Sequence, residues 1–190
     1  MRDRTPALGD PSPWVARFFS GIRENGRVLD VACGSGRHLV LGASTGRRMV
    51  GVDRDIAPAR THVTGLGVKL IEADLEAGGP FPFPPATFDG VIVTNYLWRP
   101  ILPAIVASVA RDGVLIYETF AIGNEAFGRP SNPAFLLRPG ELLDATASQL
   151  RVVAFEHGRQ TEPDRMVQRI TAVGFAHPWA AASGPLLRNG

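Results

Sequence analysis

Cysteine is almost absent: Cys33 is the one cysteine in 190 residues. A chain with a single thiol forms no internal disulfide and no thiolate metal cluster, and its histidines (His38, His62, His157, His177) are scattered, so no structural metal is expected. Lysine is equally scarce. Lys69 is the only one, so the basic residues, 20 against 18 acidic, and the pI near 9.2 rest on arginines dispersed along the chain. The one adjacent basic pair, Arg47-Arg48, has no aromatic residues interleaved as stacking platforms, which disfavours nucleic acid as a partner. Long apolar runs are missing too. Nothing approaches the ~20 apolar residues of a membrane span, and the opening MRDRTPALGDPSPW has no signal-peptide core, so a cytoplasmic protein without a membrane partner is expected. What is present is ordinary for a globular chain: 45% hydrophobic and 20% charged residues, enough for one domain over residues 1–190.

The chain is organised around residues 27–38, RVLDVACGSGRH. Val28 to Val31 read as a buried strand that runs into the small residues Ala32, Cys33, Gly34, Ser35 and Gly36, after which Arg37 to Leu41 begin a helix. Glycine there permits positive φ and close approach of a ligand, and the first N–H groups of the helix face the loop. A phosphate-binding P-loop would need Gly-Lys-Ser/Thr after its second glycine, but Arg37 and His38 follow Gly36. A dinucleotide motif would want a third glycine where Leu39 stands, and has no use for the acid Asp30 at the strand end. A carboxylate there suits a ligand that is cationic or rich in N–H and O–H donors.

Further strands repeat the pattern. Arg48 to Asp53 (RMVGVD) ends in an acid 17 positions beyond Gly36, the length of one βαβ step, and Asp53 can accept hydrogen bonds from both hydroxyls of a ribose. Arg54 follows it, and Asp55 is an N-cap for a helix over residues 57–66. Val68 to Ala73 (VKLIEA) is a third strand running into Asp74-Leu75, with Asp74 either a ligand contact or a cap of the next turn. GGPFPFPP, 78–85, is too rich in proline for regular structure. Phe88 to Asn95 is a fourth strand, and a helix runs from Pro100 to Ala110. Asp112 to Phe120 is a fifth, with Glu118 and Thr119 at its mouth. Asn95 and Tyr96 are expected in the crevice where the strand order reverses.

Ahead of this core, PSPWVARFFSG reads as a helix capped by Ser12, with Trp14, Val15 and Phe18 inward, either covering the sheet or bordering a ligand. Behind it, residues 121–138, rich in Gly, Asn and Pro, exceed a simple connection. Asn124, Glu125, Phe127, Arg129 and Asn132 in that stretch either contact a substrate or belong to an ordered Ω-loop. A helix over 139–150 and a hairpin of 151–156 with 166–175, joined by polar residues 157–165, complete the reading.

Taken together these segments resemble the class I S-adenosylmethionine-dependent methyltransferases. RVLDVACGSGRH is similar to their motif I, Asp/Glu-x-Gly-x-Gly-x-Gly, with Ala32 where the first glycine is usual. Within the family, this stretch and YETFAIGNEAFGRPSNP look most like small bacterial methyltransferases near the tellurite-resistance methyltransferase group. The resemblance implies an α/β, doubly wound, Rossmann-like sheet of seven strands in the order 3-2-1-4-5-7-6, strand 7 antiparallel. It implies one methyltransferase domain, with a cover helix over 12–26, a core over 27–175, a substrate loop over 121–138 and a tail over 176–190. The implied cofactor is S-adenosylmethionine, bound by Asp30, Ala32, Cys33, Gly34, Ser35, Gly36, Asp53, Arg54, Asp74, Leu75 and Asn95, with Asp74 taking the adenine amine. Asn95, Tyr96, Glu118 and Arg129 would position a small-molecule methyl acceptor, and Arg99 beside them suggests an anionic one. No Pro-Pro follows Asn95, so the motif for methylating planar exocyclic amines is missing. The alternatives are an RNA or protein methyltransferase, a non-catalytic S-adenosylmethionine-binding protein, and a nicotinamide dehydrogenase. His38, beside the glycine loop, is expected to pack or bond a helix end rather than catalyse.

Overall fold

Strands with consecutive apolar residues have to be covered on both faces, and five mostly apolar runs separated by helical segments call for a parallel sheet with helices on either side. A computed structural model of the chain, which describes residues 7–181, has this architecture. The strands are β1 (Arg27–Val31), β2 (Arg48–Asp53), β3 (Lys69–Glu72), β4 (Phe88–Thr94), β5 (Val109–Phe120), β6 (Arg151–Gln160) and β7 (Arg165–Val173). They form one sheet in the order β3-β2-β1-β4-β5-β7-β6, as expected. β1 pairs in parallel with both β2 and β4, and β7 runs antiparallel to β5 and β6. The order reverses between β1 and β4, so their carboxyl ends open the ligand crevice.

Alternation within each strand divides the core in two. Leu29, Val31, Val91, Val93, Leu115 and Tyr117 face α4 (Leu102–Ala107) and α5 (Glu141–Thr146). Val28, Ile92, Val114 and Ile116 face α1 (Pro13–Phe18), α2 (Arg37–Ser44) and α3 (Ala57–Val63). Ser12 caps α1, its Oγ accepting from the N–H groups of Trp14 and Val15. Trp14 is 2% exposed and its Nε1 donates to Ile170 O, so it is core.

Several boundaries differ from those the sequence suggests. α3 stops at Val63 because Gly65 and Gly67 adopt positive φ. The helix expected to reach Ala110 ends at Ala107, and β5 begins at Val109: Ser108 O already accepts from the N–H groups of Thr87 and Phe88, so pairing with β4 starts ahead of Asp112-Gly113. α5 is shorter than expected at both ends, starting after Gly140 in a left-handed conformation and ending where the Thr146 hydroxyl bonds Leu142 O. The terminal hairpin is longer. Its ladder runs to Gln160↔Arg165, leaving 161–164 as the turn; β6 is a sheet edge, so polar residues there are strand and not loop. Of the expected tail, residues 182–190 lie outside the described residues, as do residues 1–6.

Candidate functional site

The glycine loop leaves β1 through a run of left-handed backbone. Ala32 has φ 53°, Gly34 φ 53° and Gly36 φ 86°, the last as N-cap of α2. A Cβ added at Gly34 would meet no protein atom within 4 Å, whereas one at Gly36 would press Ala59 at 3.3 Å. Gly36 therefore packs the turn against α3, and Gly34 opens it. Ala32 shows why glycine is usual at its position, since a left-handed residue with a Cβ costs about 1–2 kcal/mol.

Asp53, at the tip of β2, holds the loop from the side. Its Oδ2 accepts from Gly34 N at 2.9 Å and its Oδ1 from Asp55 N at 3.1 Å, leaving lone pairs on both oxygens for a ligand. Asp55 Oδ1 in turn accepts from Ala57 N at the start of α3. Asp74 Oδ1 accepts from Glu76 N at 2.9 Å, and its other oxygen carries no hydrogen bond. These tips enclose a cavity of about 390 Å³, lined by Ala32, Asp53, Arg54, Asp74 and Leu75 of the expected set. Tyr96, from the expected acceptor set, and Ala73, Glu76 and Phe135, which sequence reasoning missed, complete its wall. Phe135 arrives from the 121–138 loop, a long-range placement that no local pattern reveals.

Asp30 lies behind the loop on the α1–α2 face, 1% exposed, and its Oδ2 has no hydrogen-bond partner. The nearest cation-forming group is His38, whose Nδ1 is 3.9 Å away. His38 Nε2 accepts from Ser12 N at 3.1 Å, which assigns the ring proton to Nδ1, facing Asp30. His38 is thus a brace between the N-terminal segment and the loop. Arg37 adds a second tie, donating to Asp10 O. The Cys33 side chain points into the core at 6% exposure, and burial followed by the charges of Asp30 and Asp53 pushes its thiol far above the usual range. Ser35 is half-buried at the turn.

Asn95 leaves β4 with φ 54° and donates its N–H to Glu118 O. With Tyr96, Leu97, Thr119, Phe120, Pro130 and Phe135 it lines a second cavity of about 210 Å³. A third, more open one of about 580 Å³ shares Asn95, Phe120, Pro130 and Phe135 and adds Arg129, Ser131 and Asn132. Tyr96 therefore lines both the first and the second space, and Phe135 lines all three. The Tyr96 hydroxyl is buried without a hydrogen-bond partner, and burial together with Glu76, Asp74 and Asp53 pushes it well above its ordinary range.

Two expected acceptor residues are not there. Glu118 is 2% exposed on the opposite face of the sheet, where Ser12 Oγ donates to one oxygen at 2.9 Å and Arg169 Nη1 to the other at 3.1 Å. Strand alternation puts Tyr117 toward the cavities and Glu118 away from them. Arg99 is a clamp: it donates to both oxygens of Glu141 (2.7 and 2.9 Å), to Ala134 O (2.6 Å) and to Leu136 O (2.8 Å). Within the 121–138 loop, Asn124 bonds Pro130 O and Met166 N, Glu125 bonds Gly123 N and Phe127 lies under Arg159, so these are scaffold. Arg129 is exposed and makes no hydrogen bond or ion pair among the described residues. Among those residues no cluster of His, Cys, Asp or Glu could hold a metal, and no helix is long and apolar enough to cross a membrane.

Comparison with known proteins accounts for this layout. Residues 28–112 match the family model of a methyltransferase domain. The 18S rRNA (guanine-N(7))-methyltransferase bud23 of Schizosaccharomyces pombe is 44% identical over 68 residues, 34% of this chain but only 24% of that protein. An S-adenosylmethionine-dependent methyltransferase from Mesorhizobium loti superposes with a TM-score of 0.67 at 17% identity, covering 88% of this chain and 100% of that one. A TehB-like S-adenosylmethionine-dependent methyltransferase from Corynebacterium glutamicum has a TM-score of 0.61 at 16% identity over 87% and 89% of the two chains. At such identities the solved structures speak for the fold. Residues 28–112 thus match a methyltransferase domain over the glycine loop and its flanking strands, on a sheet whose order and fold are shared with solved S-adenosylmethionine-dependent methyltransferases.

Proposed function

We propose that the protein transfers a methyl group from S-adenosylmethionine to a small-molecule acceptor by in-line displacement, with 27–175 as the catalytic core and 121–138 as its substrate loop. One observation carries the reading: Tyr96 and Phe135 wall both the cavity that holds the strand-tip acids and the cavity beside it. A cofactor and an acceptor would meet across them.

In this reading Asp53 accepts from the ribose hydroxyls, Asp74 takes the adenine amine, and Leu75 and Arg54 border the base. The loop of Ala32, Cys33, Gly34, Ser35 and Gly36 passes under the ligand, where the open space above Gly34 fits close approach. The unpaired Oδ2 of Asp30 fits an ammonium group, since a buried carboxylate oxygen without a donor is costly until one arrives. Asn95 borders both ligands. When bound, the cofactor supplies an electrophilic methyl on a sulfonium. The chain's own work is to hold the acceptor atom near ~3 Å and in line, and to exclude water. Tyr96 keeps its proton and so donates a hydrogen bond; it is no base. Glu118 takes no part.

Calorimetry with S-adenosylhomocysteine tests the cofactor half. Asp53→Ala should weaken binding by about 1–3 kcal/mol, the range for a hydrogen bond to a charged group. An unchanged affinity would remove Asp53 from the site.

An RNA acceptor is favoured by the likeness to an rRNA methyltransferase. Against it, many arginines are committed to ion pairs, among them Arg23 with Asp89, Arg99 with Glu141, Arg159 with Asp164 and Arg169 with Glu118 and Glu156. Among the described residues these pairings take up positive charge that a phosphate backbone would otherwise meet. Incorporation of labelled methyl into rRNA transcripts, with none into small acceptors, would establish the RNA reading in its place.

A further inference from the structure

We infer that the acceptor is a planar aromatic anion whose attacking atom is itself ionised before transfer, such as an aromatic thiolate carrying a carboxylate. The inference rests on the methyl-transfer reading above and adds the substrate class.

Three properties of the second and third cavities lead there. The walls of the third are partly aromatic: Phe120 and Phe135, with Pro130 and beside the polar Asn95, Ser131 and Asn132, face the space of about 580 Å³, room for a single-ring molecule with substituents. Its mouth carries one uncommitted cation, Arg129, the other nearby arginine, Arg99, being fully engaged with Glu141 and two carbonyls. A guanidinium beside aromatic walls suits a carboxylate or similar anion on a flat ring. At the junction with the cofactor cavity stands Tyr96, which lines both spaces and whose hydroxyl is buried without a hydrogen-bond partner.

The second and third cavities supply no buried base. Their walls contain no histidine, lysine or cysteine, Tyr96 is held in its protonated form, and their one carboxylate, Glu76, is solvent-exposed and shared with the cofactor cavity. An alcohol or unactivated phenol would need a proton acceptor, and an amine would become cationic in the step, next to a guanidinium. An anionic atom needs neither. Its lone pair forms the new bond to the methyl carbon as the sulfonium's carbon–sulfur bond breaks, and the electron pair of the broken bond stays on that sulfur. The acceptor's negative charge and the sulfonium's positive charge disappear together, and no proton is released.

The test uses the full chain and 4-mercaptobenzoate, with 4-methylbenzenethiol lacking the carboxylate, 3-mercaptopropionate lacking the ring and 4-aminobenzoate lacking the ionised attacking atom. Binding of S-adenosylhomocysteine is measured first by calorimetry, then binding of each probe to the loaded protein, then methylated product with S-adenosylmethionine by mass spectrometry. Expected is binding of 4-mercaptobenzoate about tenfold or more tighter than either of the other two thiols, as one charge-assisted contact provides. Arg129→Gln should erase the advantage over 4-methylbenzenethiol without altering affinity for S-adenosylhomocysteine. Arg111→Gln, at the opposite end of the sheet, should leave it intact. Methylated 4-mercaptobenzoate should form, and methylated 4-aminobenzoate should not. Equal binding of the three thiols, an Arg129→Gln variant that binds 4-mercaptobenzoate as tightly as the parent, or equal methylation of 4-aminobenzoate would overturn the substrate class. Failure of S-adenosylhomocysteine itself to bind would instead remove the methyl-transfer reading on which it rests.

Discussion

Replacing Arg99 by alanine should destabilise the protein and loosen the acceptor loop together. The side chain makes four donor contacts, two to Glu141 and one each to Ala134 O and Leu136 O, from a position 32% exposed against a carboxylate side chain 9% exposed. A fully buried pair broken on one side costs about 3–5 kcal/mol, but here the arginine is a third exposed, Ala134 O can reach water, and Glu141 keeps the Arg138 N–H at 2.8 Å. A loss of about 2–3 kcal/mol follows, or about 4–12 °C in Tm for a chain of this length. Lysine at 99 should recover only part, because a point ammonium cannot grip both carboxylate oxygens and two carbonyls at once. The effect carries a pH signature. Burial raises the Glu141 carboxyl, but its hydrogen bonds from Arg99 and Arg138 outweigh burial and hold it below the ordinary range. A carboxyl lowered on folding contributes stability that is fully present above its unfolded pKa of about 4.3 and is lost as pH falls through the folded value. Thermal melts of parent and Arg99→Ala protein from pH 7 downward should therefore converge below pH ~4 as this contribution fades. A Tm change under about 1 °C, or a gap that stays constant with pH, would refute the clamp.

Three further outcomes are expected. Asp30→Asn should weaken S-adenosylhomocysteine by about 1.5–3 kcal/mol while leaving 5′-methylthioadenosine, which lacks the ammonium, unchanged in calorimetry; equal effects on both would place Asp30 outside the amino-acid end. Ala32→Gly, which relieves a left-handed alanine, should hold or raise the melting temperature despite the flexibility it adds to the unfolded chain, and a clear drop would mean the side chain packs more than it strains. Cys33 should resist iodoacetamide in the native protein and react once unfolded, because its thiol is buried and kept protonated; rapid native labelling would contradict that placement.

The strand tips were legible because the signals are local. Asp30, Asp53 and Asp74 each follow a short apolar run, and a βαβ alternation with a final hairpin leaves few sheet orders open. Where partners are remote the sequence is silent. Ser12 and Glu118 are 106 positions apart, and only the folded chain reveals that the carboxylate is spent on the N-terminal segment and Arg169. Arg99 looked like an acceptor contact because it lies three residues past Tyr96, yet its partner Glu141 is 42 positions away. Phe135 was hidden for the same reason. Polar composition misled at the hairpin, where an edge strand tolerates what a central one does not, and at Ser108, where pairing with β4 begins before the glycine turn.

Isothermal titration of the unmodified chain with S-adenosylhomocysteine, and separately with NAD, bears most directly on the account. A single saturable site for S-adenosylhomocysteine with no heat from NAD is predicted. Saturable binding of NAD with none of S-adenosylhomocysteine, or no binding of either, would contradict it.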